Sequence, residues 1–154
     1  GAMSDIKFRS FNANDSDRIL KWYKDDKDGF ESIMGQAIPD SLACTMLVSG
    51  LLHATSQGMA LFSLIDHGEK TIGFAGVTNI TPSKDFGQPH IYIEPPSRRY
   101  SVMAAKSAEK YAKSLGIKNF FASVEKSNKR GLSLIKLLGY SESPRKLFLR
   151  ELQE

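Results

Sequence analysis

Apolar residues change their spacing along this chain, and the changes mark out its elements. Ile6, Phe8 and Phe11 predict a short opening strand, and Asn14 to Asp17 supplies N-cap chemistry for a helix with Ile19, Trp22 and Tyr23 on one side. Gly29 and Gly35 break that pattern. Pro39-Asp40-Ser41 then caps a second helix, rich in Leu, Met and Val, that runs to about Ala54. From Ala60 the texture turns to strand: Leu61 to Ile65, a turn at Asp66-His67-Gly68, and a long second strand from Ile72 to Ile80. Thr81 to Pro89 predicts a connection and His90 to Glu94 another strand, stopped by Pro95-Pro96, which cannot donate to a ladder. Val102, Ala105, Ala108, Ala112 and Leu115 recur at helical spacing with Lys106, Lys110 and Lys113 on the other face and Gly116 just beyond. Asn119 to Glu125 alternates as a strand. Leu132, Ile135 and Leu138 predict a helix closed by Gly139, and Lys146 to Leu152 a terminal strand.

The expected order is β, α, α, a three-strand meander, α, β, α, β. That is an α/β (α+β) arrangement, with a mixed, mostly antiparallel central sheet and helices on both faces. The 154 residues suit one domain over 4–154, and Gly1-Ala2-Met3 looks like the remnant of an expression tag. Hydrophobic residues at 41% and charged residues at 25% are globular values and exclude disorder or a fibrous repeat. The apolar stretch Leu42 to Ala54 is too short to span a bilayer, so no membrane association is expected. A lone cysteine, Cys44, excludes an internal disulfide and favours a cytoplasmic setting. Three scattered histidines make no metal site.

The formal charge of +4 is compatible with a polyanionic ligand. Two basic segments, Arg98-Arg99 and Lys126 to Arg130, flank expected helix starts, where unpaired N–H groups and the helix dipole suit phosphate. Strand parity puts His90, Tyr92 and Glu94 on one face and Ile91 and Ile93 on the other, making His90 and Glu94 candidate bases. His53 and His67 read as surface residues and Cys44 as core.

Two stretches carry a family likeness. Ile93-Glu94-Pro95 followed by Arg98-Arg99-Tyr100-Ser101-Val102-Met103 resembles the strand end and the R-x-x-G-x-G/A helix start of the Gcn5-related N-acetyltransferase (GNAT) superfamily. Asn128-Lys129-Arg130 through Leu138-Gly139-Tyr140 is similar to that superfamily's N-x-x-[AS]-x-x-[LV]-x-x-x-L-G-F/Y helix. Ile72-Gly73-Phe74 is similar to the start of its central strand. Ser101 and Met103 stand where the family carries small residues, chiefly glycine, and Ile135 stands where it often carries a tyrosine acid.

The resemblance implies an acetyl-CoA-dependent N-acetyltransferase that transfers an acetyl group to a protein, peptide or small amine by direct attack in a ternary complex. It implies cofactor binding by Ile93, Arg98, Arg99, Tyr100, Ser101, Val102, Met103, Asn128, Lys129 and Arg130. The expected partners are acyl-CoA and an amine acceptor; a homodimer is left open and nucleic acid is not expected. The altered positions 101, 103 and 135 suggest the alternative, a catalytically degenerate GNAT-like protein acting through CoA or partner binding.

Overall fold

The computed structural model describes residues 5–144, 148–150 and 152, in two compact units that meet between Ser123 and Val124. In the first unit β1 (Ile6–Arg9) leads to three helices, α1 (Asp15–Asp25), α2 (Lys27–Met34) and α3 (Ser41–Ser56). Then come β2 (Leu61–His67), β3 (Lys70–Thr78), β4 (Phe86–Ile93), a 3-10 segment (Pro95–Tyr100), α4 (Ser101–Ser114) and β5 (Asn119–Phe120). The sheet runs in the order β1-β2-β3-β4-β5. Its first four strands are antiparallel and β5 joins β4 in parallel.

Alternation along the strands builds two cores. Leu64, Phe74 and Tyr92 face α1, α2 and α3, where they meet Ile19, Trp22, Tyr23, Phe30 and Cys44. Ile65, Ile72 and Ile93 face the other way, onto Ala104 of α4, and Ala112 extends that helix's contact to Val77. The expected parity of His90 to Glu94 holds, because neighbouring residues of β4 enter opposite cores.

Three expectations are corrected. Gly29 does not break the chain; it lies inside α2, where a Cβ would collide with the Asp26 carboxylate, so a third helix exists before the meander. β4 begins at Phe86 rather than His90. Its Gly87 and Pro89 read as loop residues, yet Gly87 has Val77 Cγ1 2.5 Å from where a Cβ would sit, and the register with β3 leaves the N-H-less face of Pro89 pointing away from that partner. β5 covers two residues and not seven: it pairs at Phe86↔Asn119 and Gly87↔Phe120, Phe121 N–H adds one bond to the Gly87 carbonyl, and 121–125 are not strand.

In the second unit α5 (Lys129–Leu137) follows Asn128, and Gly139 takes the left-handed φ of 82° expected of a helix-ending glycine. The terminal strand expected over 146–152 and the tag remnant 1–3 fall mainly or wholly outside the described residues. Phe148–Arg150 and Leu152, which are described, form no strand. Among the described residues no helix is long and apolar enough to cross a membrane.

Candidate active site

The C-terminal end of β4 is where the sheet opens. An antiparallel ladder alternates: Glu94 N–H donates to the Ile72 carbonyl at 2.8 Å, so even-numbered residues of β4 bond β3 and the main chain of Ile91 and Ile93 turns to the other edge. That edge is met by β5 near Phe86 and Gly87, where Phe121 N–H also donates to the Gly87 carbonyl at 3.0 Å. Beyond that point the strands part. The amides of Ile91 and Ile93 therefore lie on an edge of β4 that β5 does not pair, and Ile93 itself is buried.

The face of β4 toward α1 and α2 carries a polar cluster. The Glu94 carboxylate accepts from Trp22 Nε1 at 3.3 Å and from Ser97 Oγ at 2.9 Å, and pairs with Lys70 Nζ at 3.0 Å. Burial pushes the Glu94 carboxyl up, but the bonds from Lys70, Ser97 and Trp22 outweigh it and hold it below the usual range. Asp26, in the junction between α1 and α2, accepts from Tyr92 Oη at 3.1 Å and from Arg98 Nη2 at 2.6 Å. Burial first, then the Asp26 charge, drives the Tyr92 phenol well above its ordinary value, so it stays protonated.

His90 is tied at both ring nitrogens. Nδ1 donates to the Ile33 carbonyl at the end of α2, at 2.8 Å, and Nε2 lies 2.8 Å from Thr78 Oγ1. A carbonyl can only accept, so Nδ1 carries the proton and Nε2 accepts from the threonine. Burial lowers the pKa of His90, and the Ile33 bond offsets this in part. The ring is thus a neutral link between α2 and β4.

Arg98, Arg99 and Tyr100 lie in the 3-10 segment and Ser101, Val102 and Met103 in the first turn of α4. The start of α4 is not the free helix end expected beside Arg98-Arg99. Instead it continues the 3-10 segment, with Ser97 N–H bonded to the Glu94 carbonyl at 2.9 Å and Ser101 N–H to the Arg98 carbonyl. Part of the expected set of free amides is already engaged. Arg98 Nε is buried without a partner, the Arg99 guanidinium lies 4.8 Å over the Tyr100 ring, and His67 stacks on the same ring at 4.1 Å. His67 is therefore packed here, not a free surface residue.

In the second unit Asn128 is the N-cap of α5: its Oδ1 accepts from Gly131 N–H at 2.9 Å. Lys129 and Arg130 are exposed in the first turn. Sequence reading missed Asp26, Trp22 and Lys70 as members of the cluster. Asp26 stands in an acidic run whose partners, Tyr92 and Arg98, are brought to it only by the fold.

A meander with a splayed β4 edge, helices on both faces and a basic helix start after β4 define the fold of the Gcn5-related N-acyltransferases, and the chain carries that fold. Solved structures agree. Spermidine N-acetyltransferase from Vibrio cholerae, in complex with CoA and spermine, matches with a TM-score of 0.75 and 14% identity over 96% of this chain and 89% of its own. A Salmonella typhimurium acetyltransferase that modifies the N-terminal serine of ribosomal protein L7/L12 matches at 0.76 and 11% over 88% and 80%. Mycobacterium smegmatis RimJ, in complex with CoA-disulfide, matches at 0.72 and 13% over 90% and 71%. No family model and no curated protein sequence matches the chain.

Proposed function

We propose that this chain is an acetyl-CoA-dependent N-acetyltransferase acting on an amine by direct attack in a ternary complex. The observation that carries the reading is the parting of β5 from β4, which leaves the Ile91 and Ile93 main chain along an open edge. A pantetheine arm is an extended chain with two amides, and an exposed strand edge binds such a chain through main-chain hydrogen bonds. Side-chain identity matters little there, so the edge tolerates sequence divergence.

The residues that would hold the acyl donor are Ile91 and Ile93 for pantetheine and Arg98 to Met103 for the diphosphate. The buried, unpartnered Arg98 Nε is a donor still lacking an acceptor in that segment. The family resemblance also assigns phosphate binding to Asn128, Lys129 and Arg130, which stand at the start of α5 in the second unit. When bound, acyl-CoA supplies an electrophilic thioester carbon. The chain's own part is to hold it and to present the Ile93 N–H as a donor for the carbonyl oxygen, a form of stabilisation that acts where charge develops. The candidate bases are His90, whose pKa burial lowers, and Glu94, which its bonds from Lys70, Ser97 and Trp22 hold below the usual range against burial. The acceptor class includes the polyamine and protein-terminus amines that the compared structures are described with. The lone, buried Cys44 suits a reducing compartment such as the cytoplasm.

A second reading has a specific observation in its favour: Ser97 and Ser101 amides are spent inside the 3-10 segment, which favours a scaffold that binds partners without transfer. Acyl transfer separates the two. Incubation with acetyl-CoA and a panel of polyamines and peptides should release free CoA thiol and yield amines heavier by one acetyl group. Cofactor-induced stabilisation with no acetylated product on any amine supports the second reading.

A further inference from the structure

We infer that the outward face of α3 is a self-association surface, on which two copies of the chain pack α3 against α3, antiparallel across a two-fold axis. In a chain whose residues are 25% charged, the 16 residues of α3 include no Asp, Glu, Lys or Arg. One side of the helix packs Cys44, Leu47, Val48 and Leu51 on the core. The other side is uncharged and exposes two large apolar side chains, Leu42 at 68% and Met46 at 66%, beside Thr45, Ser49, Gly50 and His53. Among the described residues nothing covers Leu42 and Met46, and their side chains gain from burial against a partner.

Spacing and shape point to a second copy as the occupant. Leu42, Met46, Ser49 and His53 follow one another at intervals of four, three and four residues, the spacing of a helix-to-helix seam. Beside that seam sits Gly50, exposed, in the middle of the helix. Glycine weakens a helix interior, and a Cβ at Gly50 would meet nothing within 4 Å, so nothing inside the chain requires its absence. A two-fold interface needs a projection and its matching hollow on one patch. Met46 and Gly50, one turn apart on the same flank, are such a pair. In the antiparallel arrangement Met46 of each copy lies over Gly50 of the other.

Charge agrees with shape. The seam is uncharged, so two chains of formal charge +4 meet there without burying like charges. Antiparallel order also opposes the helix dipoles favourably and brings the N-cap carboxylate of Asp40 toward the His53 imidazole of the other copy. The helix is about 24 Å long, which places the contact at the low end of specific interfaces and makes the dimer concentration-dependent.

Sedimentation equilibrium of the full chain from about 1 µM to about 1 mM tests this. The mass should rise from 17.1 kDa toward twice that value. Met46→Lys, at an exposed position, should keep the circular dichroism spectrum and weaken association at least about tenfold. Gly50→Ala separates interface from fold: it should raise the melting temperature by improving the helix while also weakening association, and it carries the test if Met46→Lys misfolds. A chain that stays monomeric across the range, or one whose dimer is indifferent to both variants, overturns the inference.

Discussion

Arg98 donates to Asp26 at 2.6 Å, joining residues 72 positions apart and fastening the α1–α2 junction to the segment that leads from β4 into α4. The Tyr92 hydroxyl donates to the same Asp26 oxygen at 3.1 Å. Removing the carboxylate leaves a partly buried guanidinium and a phenol without their acceptor. The pair keeps some solvent contact, so Asp26→Ala should cost about 1–3 kcal/mol, and Asp26→Asn, which can still accept from Tyr92, less. Urea unfolding of the three proteins measures this. Equal stability would show that the junction is not held by this contact.

Gly73 faces Ile93 across the β3–β4 ladder, and a Cβ there would overlap the Tyr92 carbonyl oxygen. The offending atom is backbone and cannot swing aside. Gly76, three residues on, would bring its Cβ to 3.1 Å from the Leu61 carbonyl, a contact that a small shift relieves. Gly73→Ala should therefore destabilise by more than about 3 kcal/mol and Gly76→Ala by about 1 kcal/mol, read from thermal or urea melts.

These close approaches show what the sequence made legible and what it hid. Apolar spacing located Ile19, Trp22 and Tyr23 on α1, the β2–β3 hairpin and the span of α4, because burial in each is set by period alone. Gly29 and Pro89 misled for one reason: each is a breaker by propensity, and each is accommodated by its surroundings, local for Gly29 and tertiary for Pro89. Asp26 fills the space beside Gly29, and Pro89 turns its missing donor away from β3. In the site, Ile93 entered only through the family resemblance. The bonds that engage His90 with Ile33 and Thr78, and Glu94 with Trp22 and Lys70, join residues too distant in the chain for any local pattern to signal.

His90 gives a pH dependence with a definite sign. Burial lowers its folded pKa below the ordinary 6.5, so below that value the unfolded chain binds a proton that the folded chain resists. Stability from this group is full above about pH 6.5 and falls as pH drops toward the folded pKa. Denaturant melts between pH 7.5 and pH 5 should show the fall, and His90→Asn should flatten it while lowering the stability at pH 7.5. A profile of wild-type shape in the variant would assign the slope to other groups.

A second slope lies in stronger acid. Arg9 donates to both oxygens of buried Asp15 at 2.9 Å and to Asp66 at 2.9 Å, tying β1 to the start of α1 and to β2. The Arg9 bonds, opposed by burial and helped by the Asn12 N–H, hold the Asp15 carboxyl below its usual 3.8. A carboxylate so depressed contributes stability that is present above the unfolded pKa and lost as pH falls through the folded one. Unfolding free energy should thus decline below about pH 4, and Asp15→Asn should be about 2–4 kcal/mol less stable at pH 7 with a shallower acid slope.

Binding of acyl-CoA along the β4 edge that β5 leaves unpaired is read from the amide resonances of the isotope-labelled chain titrated with acetyl-CoA. The amides of Ile91 and Ile93 should move first and furthest, while those of Ile6 and Ile65, on the far side of the sheet order, stay in place. Unmoved Ile91 and Ile93 amides at millimolar acetyl-CoA would contradict the claim.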